Sequence, residues 1–395
     1  MLKKTKKRLM ILISVILLLI ATKVIWVACA TWRHGSFDTE KNEIIRRANY
    51  LTAKVATSPQ ELLDEMPTNI GAQFQGEWAL YTCSMTTAAL ANIAILYPQN
   101  KETSIKFISQ IIDIAMSPEL REYDRERWNE DPLESLYGDN SHVSYLSHLA
   151  WMIGRYKQIG GNGQYDELYH SICETMNRRM LQSKSLNLQT YPEELIYIPD
   201  MLVAIVALSD YSHLYNGECE STVDKWMEKA KNEWTDRETG LVASFLAEYN
   251  DSARIVLPVK GSYSALNCYY LSLIDPEFAE GQYECLKKDF IQTFPFAGIK
   301  EYHNRSCLFG MDIDAGPIIF NLSPSGTAFA IGCATSLGDM KFRCRLLKTA
   351  EIAGSTITWF GKSHYLLSNL ALVGEAIALA MRTSAPHTSV RDHLQ

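Results

Sequence analysis

The feature of this sequence that most limits its fold is a series of twelve apolar, helix-periodic segments that follow one another in pairs. We predict helices near residues 38–57, 77–97, 101–117, 142–159, 164–183, 199–215, 219–234, 262–273, 275–293, 316–337, 339–353 and 367–382. Six consecutive helical hairpins can close into a ring. The sequence therefore predicts an all-α fold, an (α/α)6 toroid of about six helical hairpins, with connecting loops around its mouth.

The predicted helices differ in how much charge they carry. The helix at 77–97 is almost without charge after Glu77, as expected of a helix that is buried on all sides. The helix at 219–234 carries several acidic and basic residues and is typical of an outer, solvent-facing partner. This alternation favours a double ring over a simple bundle. Short strand-like pieces at 241–249 and 355–360 would be connections at the rims.

The first thirty residues form a separate segment. A basic stretch at residues 3–8 precedes an uncharged run at 9–22, and after Lys23 the apolar pattern resumes over 24–30. This pattern suits an uncleaved membrane anchor, a signal peptide cleaved near Ala28-Cys29-Ala30, or a lipoprotein modified at Cys29. In each case the basic flank stays in the cytoplasm. We therefore expect an exported protein of the bacterial cell envelope, on the periplasmic side, anchored by residues 9–30 or released after cleavage.

The rest of the chain reads as a lead-in helix and connection at 31–66, the toroid domain at 67–385 and a C-terminal tail at 386–395. The net charge of −7 argues against nucleic acid as a partner. The nine cysteines form no Cys-x-x-Cys pair and are better explained as small buried hydrophobes than as a metal site, although an oxidising compartment permits disulfides. No nucleotide-binding or metal-binding motif is found, so we expect neither cofactor nor metal.

The first candidate site residues lie on one predicted helix. Tyr145 and His148 share a face of it, and Trp151 follows one turn later. His148 is a candidate general acid or base because imidazole titrates near neutral pH. The alternative is a core histidine that is hydrogen-bonded to a neighbour. Tyr145 and Trp151 are candidates for substrate contacts.

A second group lies in the segment 191–200, which leads into an inner helix. Tyr191, Glu194, Tyr197 and Asp200 place acids and tyrosines close together in the sequence. Asp200 is either a catalytic acid or the cap of the helix that follows. Glu194 and Tyr197 have less obvious structural functions. We expect Asp200 or Glu194 beside His148 and Tyr197.

Two further segments complete the candidate set. In 310–317, Gly316-Pro317 predicts a helix start with Asp314 as its cap, which leaves Asp312 free to face the mouth. In 261–270, three residues fall on one helical face, which suits a pocket wall or a tyrosine-lined core. They are Tyr263, Asn267 and Tyr270.

These segments resemble the linalool dehydratase/isomerase family, a group of exported bacterial (α/α)6 enzymes that act on tertiary allylic alcohols without a cofactor. The most similar pieces are Tyr145-Leu-Ser-His148-Leu-Ala-Trp-Met, then Gln164-Tyr165-Asp166, then the 191–200 loop with its inner helix. By this resemblance His148 matches the catalytic histidine. The family's two loop cysteines, nine positions apart, correspond here to Tyr191 and Asp200, so a thiol pair is not carried over.

Three functions are compatible with the sequence. The first is a cofactor-independent lyase or isomerase that acts on a hydroxylated small molecule by acid/base catalysis. The second is a carbohydrate-active enzyme that pairs Glu194 or Asp200 with Asp312, where a separation of about 5 Å suits a retaining enzyme and about 6.5–9.5 Å an inverting one. The third is a non-catalytic envelope binding protein. In each case the partners would be a small molecule and the membrane, and a homo-oligomer is left open.

Overall fold

The computed structural model describes residues 2–29, 35–67, 71–250, 252–369 and 372–384. These residues are mainly helical, which confirms the predicted fold class at that level. The helices are α1 (Leu2–Cys29), α2 (Phe37–Val55), α3 (Pro59–Asp64), α4 (Ala72–Leu96), α5 (Lys101–Ala115), α6 (Pro118–Trp128), α7 (Val143–Gln158), α8 (Asp166–Gln182), α9 (Ile198–Leu214), α10 (Glu220–Asn232), α11 (Gly261–Ile274), α12 (Pro276–Phe290), α13 (Pro324–Ser336), α14 (Met340–Gly354) and α15 (Leu372–Thr383).

Ten short strands connect some of these helices. They are β1 (Ile196–Tyr197), β2 (Phe245–Tyr249), β3 (Ser252–Ile255), β4 (Ile291–Gln292), β5 (Gly298–Lys300), β6 (Phe309–Asp312), β7 (Gly316–Ile319), β8 (Leu322–Ser323), β9 (Thr356–Trp359) and β10 (Lys362–Tyr365). The strands expected within 241–249 and 355–360 correspond to β2 and β9.

Each of the twelve predicted helical segments overlaps a helix, and α3 and α6 were not predicted. The main error is the predicted helix 316–337. Residues 316–319 form β7, which pairs with β6, and the helix starts only at Pro324, where the Ser323 side chain caps it by accepting the amide N–H of Gly326. Gly316 has φ +76°, which lies outside the helical region.

Six helices pack against one another in a cyclic order. They are α4, α7, α9, α11, α13 and α15, and each contacts the next, while α15 contacts α4. We call these six the inner helices. Within this set α9 and α11 are buried around almost their whole circumference.

Each inner helix has a partner helix packed on its outer side. The five partners α5, α8, α10, α12 and α14 follow their inner helices directly, and α2 packs against α4 and α15. Because the connections from inner to partner helix are short, the two run antiparallel. The inner helices therefore all begin at one end of the domain, which we call the front end, and finish at the opposite back end.

The strands lie in segments that lead into inner helices, and so at the front end. They form three antiparallel sheets with strand orders β1-β2-β3, β4-β5-β8-β7-β6 and β10-β9. The five-stranded sheet packs on the first turns of α11 and α13 rather than at the centre of the domain. Strand β5 approaches the start of α11 so closely that only glycine fits at position 261. A Cβ on Gly261 would lie 1.9 Å from the Lys300 carbonyl oxygen in β5.

A buried ion network joins the beginning and the end of the described domain. The Glu40 carboxylate of α2 accepts hydrogen bonds from Arg343 of α14, at 2.6 and 2.9 Å, and from Arg382 of α15, at 2.6 Å. Nearer the front end, Arg47 of α2 pairs with Glu375 of α15 at 2.5 Å. These ion pairs hold α2, α14 and α15 together, next to the contact between α15 and α4 that closes the cyclic order.

Helix α1 stands apart from the rest. Residues Lys6–Val27, with mean hydropathy 2.7, are long and apolar enough to cross a membrane by length and composition. Its side chains are exposed from Lys6 to Thr22, and contact with the domain starts at Lys23, whose ammonium lies 3.2 Å from Glu351 of α14. The predicted cleavage and lipidation positions at Ala28, Cys29 and Ala30, and the predicted tail 386–395, lie outside the described side chains.

Candidate active site

Three carboxylic acids come together at the front end of the inner helices. Glu77 lies near the start of α4, Asp200 is the third residue of α9, and Asp314 lies in the turn between β6 and β7. They are close enough to influence one another's charge. Burial, and then the negative charge of Asp200, raise the pKa of Glu77 to about 8, and Asp314 contributes in the same direction.

We infer from their surroundings and their partial exposure that these acids line a cleft open to water. Burial raises the pKa of Asp200 to about 7 and also raises that of Asp314, because the surrounding protein disfavours their charged forms. Glu77 and Asp200 nevertheless keep part of their surface accessible to water, and Asp314 is exposed. Groups that are deeply surrounded and still accessible mark a concave site. Carboxyl groups whose pKa values lie near neutrality are suited to proton transfer.

Tyr191 connects the predicted loop to Glu77. Its hydroxyl donates to Glu77 Oε2 at 3.1 Å and lies 3.4 Å from Ser144 Oγ at the start of α7. The Arg127 guanidinium covers the Tyr191 ring at 4.4 Å and also binds Glu194 at 3.0 Å. Tyr191 thus lies beside Glu77, and its predicted contact with a substrate stays a prediction. Glu194 is exposed and lies on the far side of Arg127.

Asp200 is held by a hydrogen bond rather than acting as a helix cap. Helix α9 has Tyr197 at its N-cap position and no side-chain cap, so the capping alternative is wrong. Thr190 Oγ1 donates to Asp200 Oδ2 at 2.9 Å, which ties the loop before β1 to the first turn of α9.

Aromatic rings form one wall of the cleft. Tyr197, Phe245 and Tyr263 make mutual ring contacts, with centroids 5.1, 5.4 and 5.4 Å apart. The Tyr263 hydroxyl donates to Asp314 Oδ2. The predicted residues Tyr197 and Tyr263 are therefore both at the site, on β1 and in the first turn of α11. An aromatic wall beside carboxyl groups suits a ligand with both apolar and hydroxyl parts.

The turn that carries Asp314 is fixed by Asp312. Asp312 Oδ1 accepts the backbone N–H groups of Asp314 and Ala315, both at 3.1 Å, and Oδ2 binds Lys260 Nζ at 2.7 Å. Although burial opposes the change, the hydrogen bond from Lys260 lowers the pKa of Asp312. The predicted roles of these two acids are thus reversed. Asp312 supports the turn, and Asp314 reaches the cleft instead of capping a helix.

His148 packs against α4, one to two turns beyond Glu77. Its ring meets the edge of Tyr81 at 5.1 Å, and Nδ1 is 2.9 Å from Ser84 Oγ. Burial lowers the pKa of His148 to about 3, so the imidazole is neutral near pH 7. Its hydrogen-bond partner is the Ser84 hydroxyl and not the expected Asp200 or Glu194. Whether His148 takes part in catalysis stays a prediction.

The remaining predicted residues lie in the core. Tyr145 donates to the Ala115 carbonyl oxygen at 2.9 Å, and Asn267 donates to the carbonyl oxygens of Val242 and Ala243. Trp151 and Tyr270 are almost fully buried, with ring centroids 5.7 Å apart. Asn267 and Tyr270 thus correspond to the alternative of a tyrosine-lined core, and Tyr145 and Trp151 are core residues as well.

Sequence reasoning missed Glu77 as a site residue. The sequence signal for it is a single carboxylate near the start of a buried helix that is otherwise almost without charge. Asp124 and His142 were also missed. They form a fully buried pair at 2.5 Å behind Tyr191, and the charge of Asp124 helps to raise the pKa of Asp200, after burial.

The described residues include no group of three or more His, Cys, Asp or Glu side chains arranged to hold a metal ion. In the same part of the chain eight cysteines are free, and five of them are buried: Cys83, Cys173, Cys219, Cys268 and Cys333. No known protein family matches the chain, and no curated protein is significantly similar to it in sequence.

Proposed function

We propose that this protein is a cofactor-independent enzyme that cleaves or moves a C–O bond of a hydroxylated small molecule by acid/base catalysis. The observation that carries the proposal is the convergence of Glu77, Asp200 and Asp314 in a water-accessible cleft, with two pKa values near neutrality. Carboxyl groups that are paired in this way are typical of proton-transfer sites. The proposed framework is an (α/α)6 toroid, supported by the cyclic order of the inner helices.

In this mechanism Glu77 is the general acid. With a pKa of about 8 it carries a proton at neutral pH and can donate it to a leaving hydroxyl oxygen, which departs as water. Asp200, with a pKa of about 7, is partly ionised and can accept a proton from the neighbouring carbon. Loss of water and of that proton leaves a double bond, and the reverse addition of water uses the same groups. The resemblance to the linalool dehydratase/isomerase family supports this reaction type and remains part of the proposal.

Glycoside hydrolysis is the second candidate. It is favoured by the same acids together with the aromatic wall of Tyr197, Phe245 and Tyr263, since sugar rings stack on such surfaces. Glu77 would then protonate the glycosidic oxygen, and Asp200 or Asp314 would act as the ionised partner.

The proposed location is the outer face of a bacterial cytoplasmic membrane. The apolar helix α1 and the basic residues before it support an anchor with residues 31–395 exported. Protease added to intact spheroplasts is expected to digest the domain. Full protection of the domain while the membrane stays intact would contradict this location.

The enzyme proposal is tested by incubating the full chain in detergent with tertiary allylic alcohols and, separately, with aryl glycosides. We expect turnover of one class, and we expect Glu77→Gln and Asp200→Asn each to lower it by about 10²–10⁴-fold with the fold intact. Glu194→Gln, which alters an exposed carboxylate beyond Arg127, is the matched control and should change little. If both site variants keep wild-type turnover, the proposed machinery is wrong.

A further inference from the structure

The exposed apolar side chains of the domain are confined to one end. Outside α1, the described residues include sixteen large apolar side chains that are exposed. They are Tyr137, Leu181, Tyr249, Val256, Leu257, Phe294, Leu308, Phe309, Met311, Ile313, Ile319, Phe320, Ile357, Trp359, Phe360 and Leu366. Fifteen lie in segments that lead into inner helices, and Leu181 lies in the last turn of α8, so all sixteen belong to the front end.

The back end has the opposite character. A surface groove of about 870 Å³ lies at this end, where α9 and α11 finish and where α10 and α12 begin. The groove is lined mainly by polar and charged residues, among them Glu220, Asp224, Lys231 and Glu277, with a few apolar residues such as Met227 between them. A soluble protein rarely gathers its exposed apolar residues on one face unless that face meets another surface.

The position of α1 identifies that surface. The exposed part of α1 leaves the domain at Lys23, which binds Glu351 in the last turns of α14. Glu351 also accepts the backbone N–H of Thr356 at 3.1 Å, at the base of the β9–β10 hairpin. The membrane helix therefore departs at the front end, beside this hairpin.

The tip of the β9–β10 hairpin has the composition of a membrane-interface contact. Trp359 is 71% exposed and Phe360 is 88% exposed, and Lys362 follows them. Trp26 of α1 is also exposed, with Lys23 Nζ 5.7 Å from its ring. Tryptophan and lysine are enriched where proteins meet the headgroup region of a bilayer.

We infer that the front end rests on the lipid bilayer, with the β9–β10 hairpin as a second membrane contact beside α1. The cleft then opens toward the lipid headgroups. On the proposed function, this makes the substrate a hydroxylated molecule that partitions into the membrane, and not one that is dissolved in the periplasm. The six exposed apolar residues at 308–320 lie beside the cleft entrance that such a molecule would cross.

The contact is tested by tryptophan fluorescence of the full chain in proteoliposomes made with brominated phosphatidylcholine. Trp26→Phe serves as the background, because Trp26 belongs to the anchor. The contribution of Trp359 is the difference in emission between the Trp26→Phe chain and the chain that carries both Trp26→Phe and Trp359→Phe. We expect brominated lipid to quench most of that contribution and aqueous iodide to quench little of it.

The matched control places a probe at the back end. Glu277→Trp, made in a chain that also carries Trp26→Phe and Trp359→Phe, adds a tryptophan at an exposed position in the first turn of α12. Iodide should quench this added emission, and brominated lipid should not. Circular dichroism shows whether each variant keeps its helices.

Two results would overturn the inference. Quenching of Trp359 by iodide but not by brominated lipid would place the hairpin in water. Quenching by neither agent would indicate that a second copy of the chain covers the front end. Neither readout requires a substrate, so a failed membrane contact and a failed enzyme proposal can be told apart.

Discussion

The proton of Glu77 is subject to opposing influences from its neighbours. Burial and the negative charge of Asp200 favour the neutral acid, whereas the hydrogen bond donated by Tyr191 favours the carboxylate. The first two effects dominate, so the pKa rises to about 8. Asp200, with a pKa of about 7, loses its proton first. This order assigns the acid role to Glu77 and the base role to Asp200.

We predict a narrow bell-shaped dependence of kcat/KM on pH. The rate should rise through about pH 7 as Asp200 ionises and fall through about pH 8 as Glu77 loses its proton. The measurement is initial rate against pH at low substrate concentration, with the class of substrate that the incubation assay identifies. A rate that stays constant from acidic to alkaline pH would contradict the assigned roles.

A second prediction concerns stability. The folded-state pKa of Glu77 lies above its ordinary value of 4.5, so the folded protein holds a proton that the unfolded chain has released. The wild type should therefore lose stability as the pH rises from about 4.5 to about 8. Glu77→Gln should raise Tm, by an amount that grows over this range and is constant above it.

Thermal unfolding of both proteins over a pH series checks this dependence. Glu134→Gln, which changes an exposed carboxylate, is the control and should give a Tm difference that hardly varies with pH. If the Tm difference between Glu77→Gln and the wild type shrinks as the pH rises, Glu77 is ionised in the folded protein.

Single residues of the site were predictable where they cluster in the sequence. Tyr191, Tyr197 and Asp200 fall within ten positions, and their acid and aromatic character was sufficient to select them. Glu77 and Asp314 were not selected, because each reaches the cleft from a distant segment. The contact between Glu77 and Tyr191 spans 114 positions, a separation that helical periodicity does not encode.

At the scale of elements, the β6–β7 hairpin carries Asp314 to the cleft. Its turn is held by Asp312, whose carboxylate binds the ammonium of Lys260, the residue just before α11. Half-buried ion pairs of this kind contribute little to global stability but can fix a local geometry. We therefore expect that a substitution outside the cleft can lower activity if it changes the geometry of this hairpin.

We predict that Lys260→Met lowers turnover by up to about 10²-fold while Tm changes little, because Asp314 loses its fixed position. Lys260→Arg should restore part of the rate. Lys362→Met, in the β9–β10 hairpin, is the matched control and should leave turnover unchanged in detergent. A large fall in Tm with Lys260→Met would instead show that the pair stabilises the whole domain.

The helices were predictable as elements because the 3.6-residue period is a local property of the chain. The error at 316–337 has a local cause as well. Gly316-Pro317 after an acidic residue is compatible with a helix start and with a hairpin turn. Only pairing with β6 and β8, which sequence pattern does not reveal, selects the second.

At the scale of the whole molecule, buried charges join α2 to α14 and α15, beside the point where the cyclic helix order closes. Glu40 receives three hydrogen bonds from Arg343 and Arg382. Although burial opposes the change, Arg382 and Arg343 lower the pKa of Glu40, so this contribution is present above pH 4.5 and is lost as the pH falls through the lowered value. The helices could be predicted from the sequence, whereas this ion network could not, because its members are about 300 positions apart.

We predict that Glu40→Gln lowers the free energy of unfolding by about 3–5 kcal/mol, because it takes the paired carboxylate from the buried Arg343 and one of two carboxylates from Arg382, which keeps Glu43. The denaturation midpoint measured by circular dichroism reports the loss. Lys54→Met removes the more exposed pair with Glu65 and should cost at most about 1 kcal/mol. Equal effects of the two substitutions would show that the Glu40 network does not stabilise the fold.

The contact between α4 and α15 also determines when folding can finish. Asn92 donates to the Ala380 carbonyl oxygen, so partners 288 positions apart must meet before the cyclic order closes. Contacts between residues so far apart in the sequence slow folding. Until the contact forms, the apolar surface of α4 is exposed, which favours aggregation. If the chain leaves the cytoplasm with its N-terminal helix held in the membrane, α4 reaches the other side long before α15 is available. A protein built in this way would depend on a chaperone of the envelope until its last helix arrives, and truncation before α15 would leave that dependence permanent.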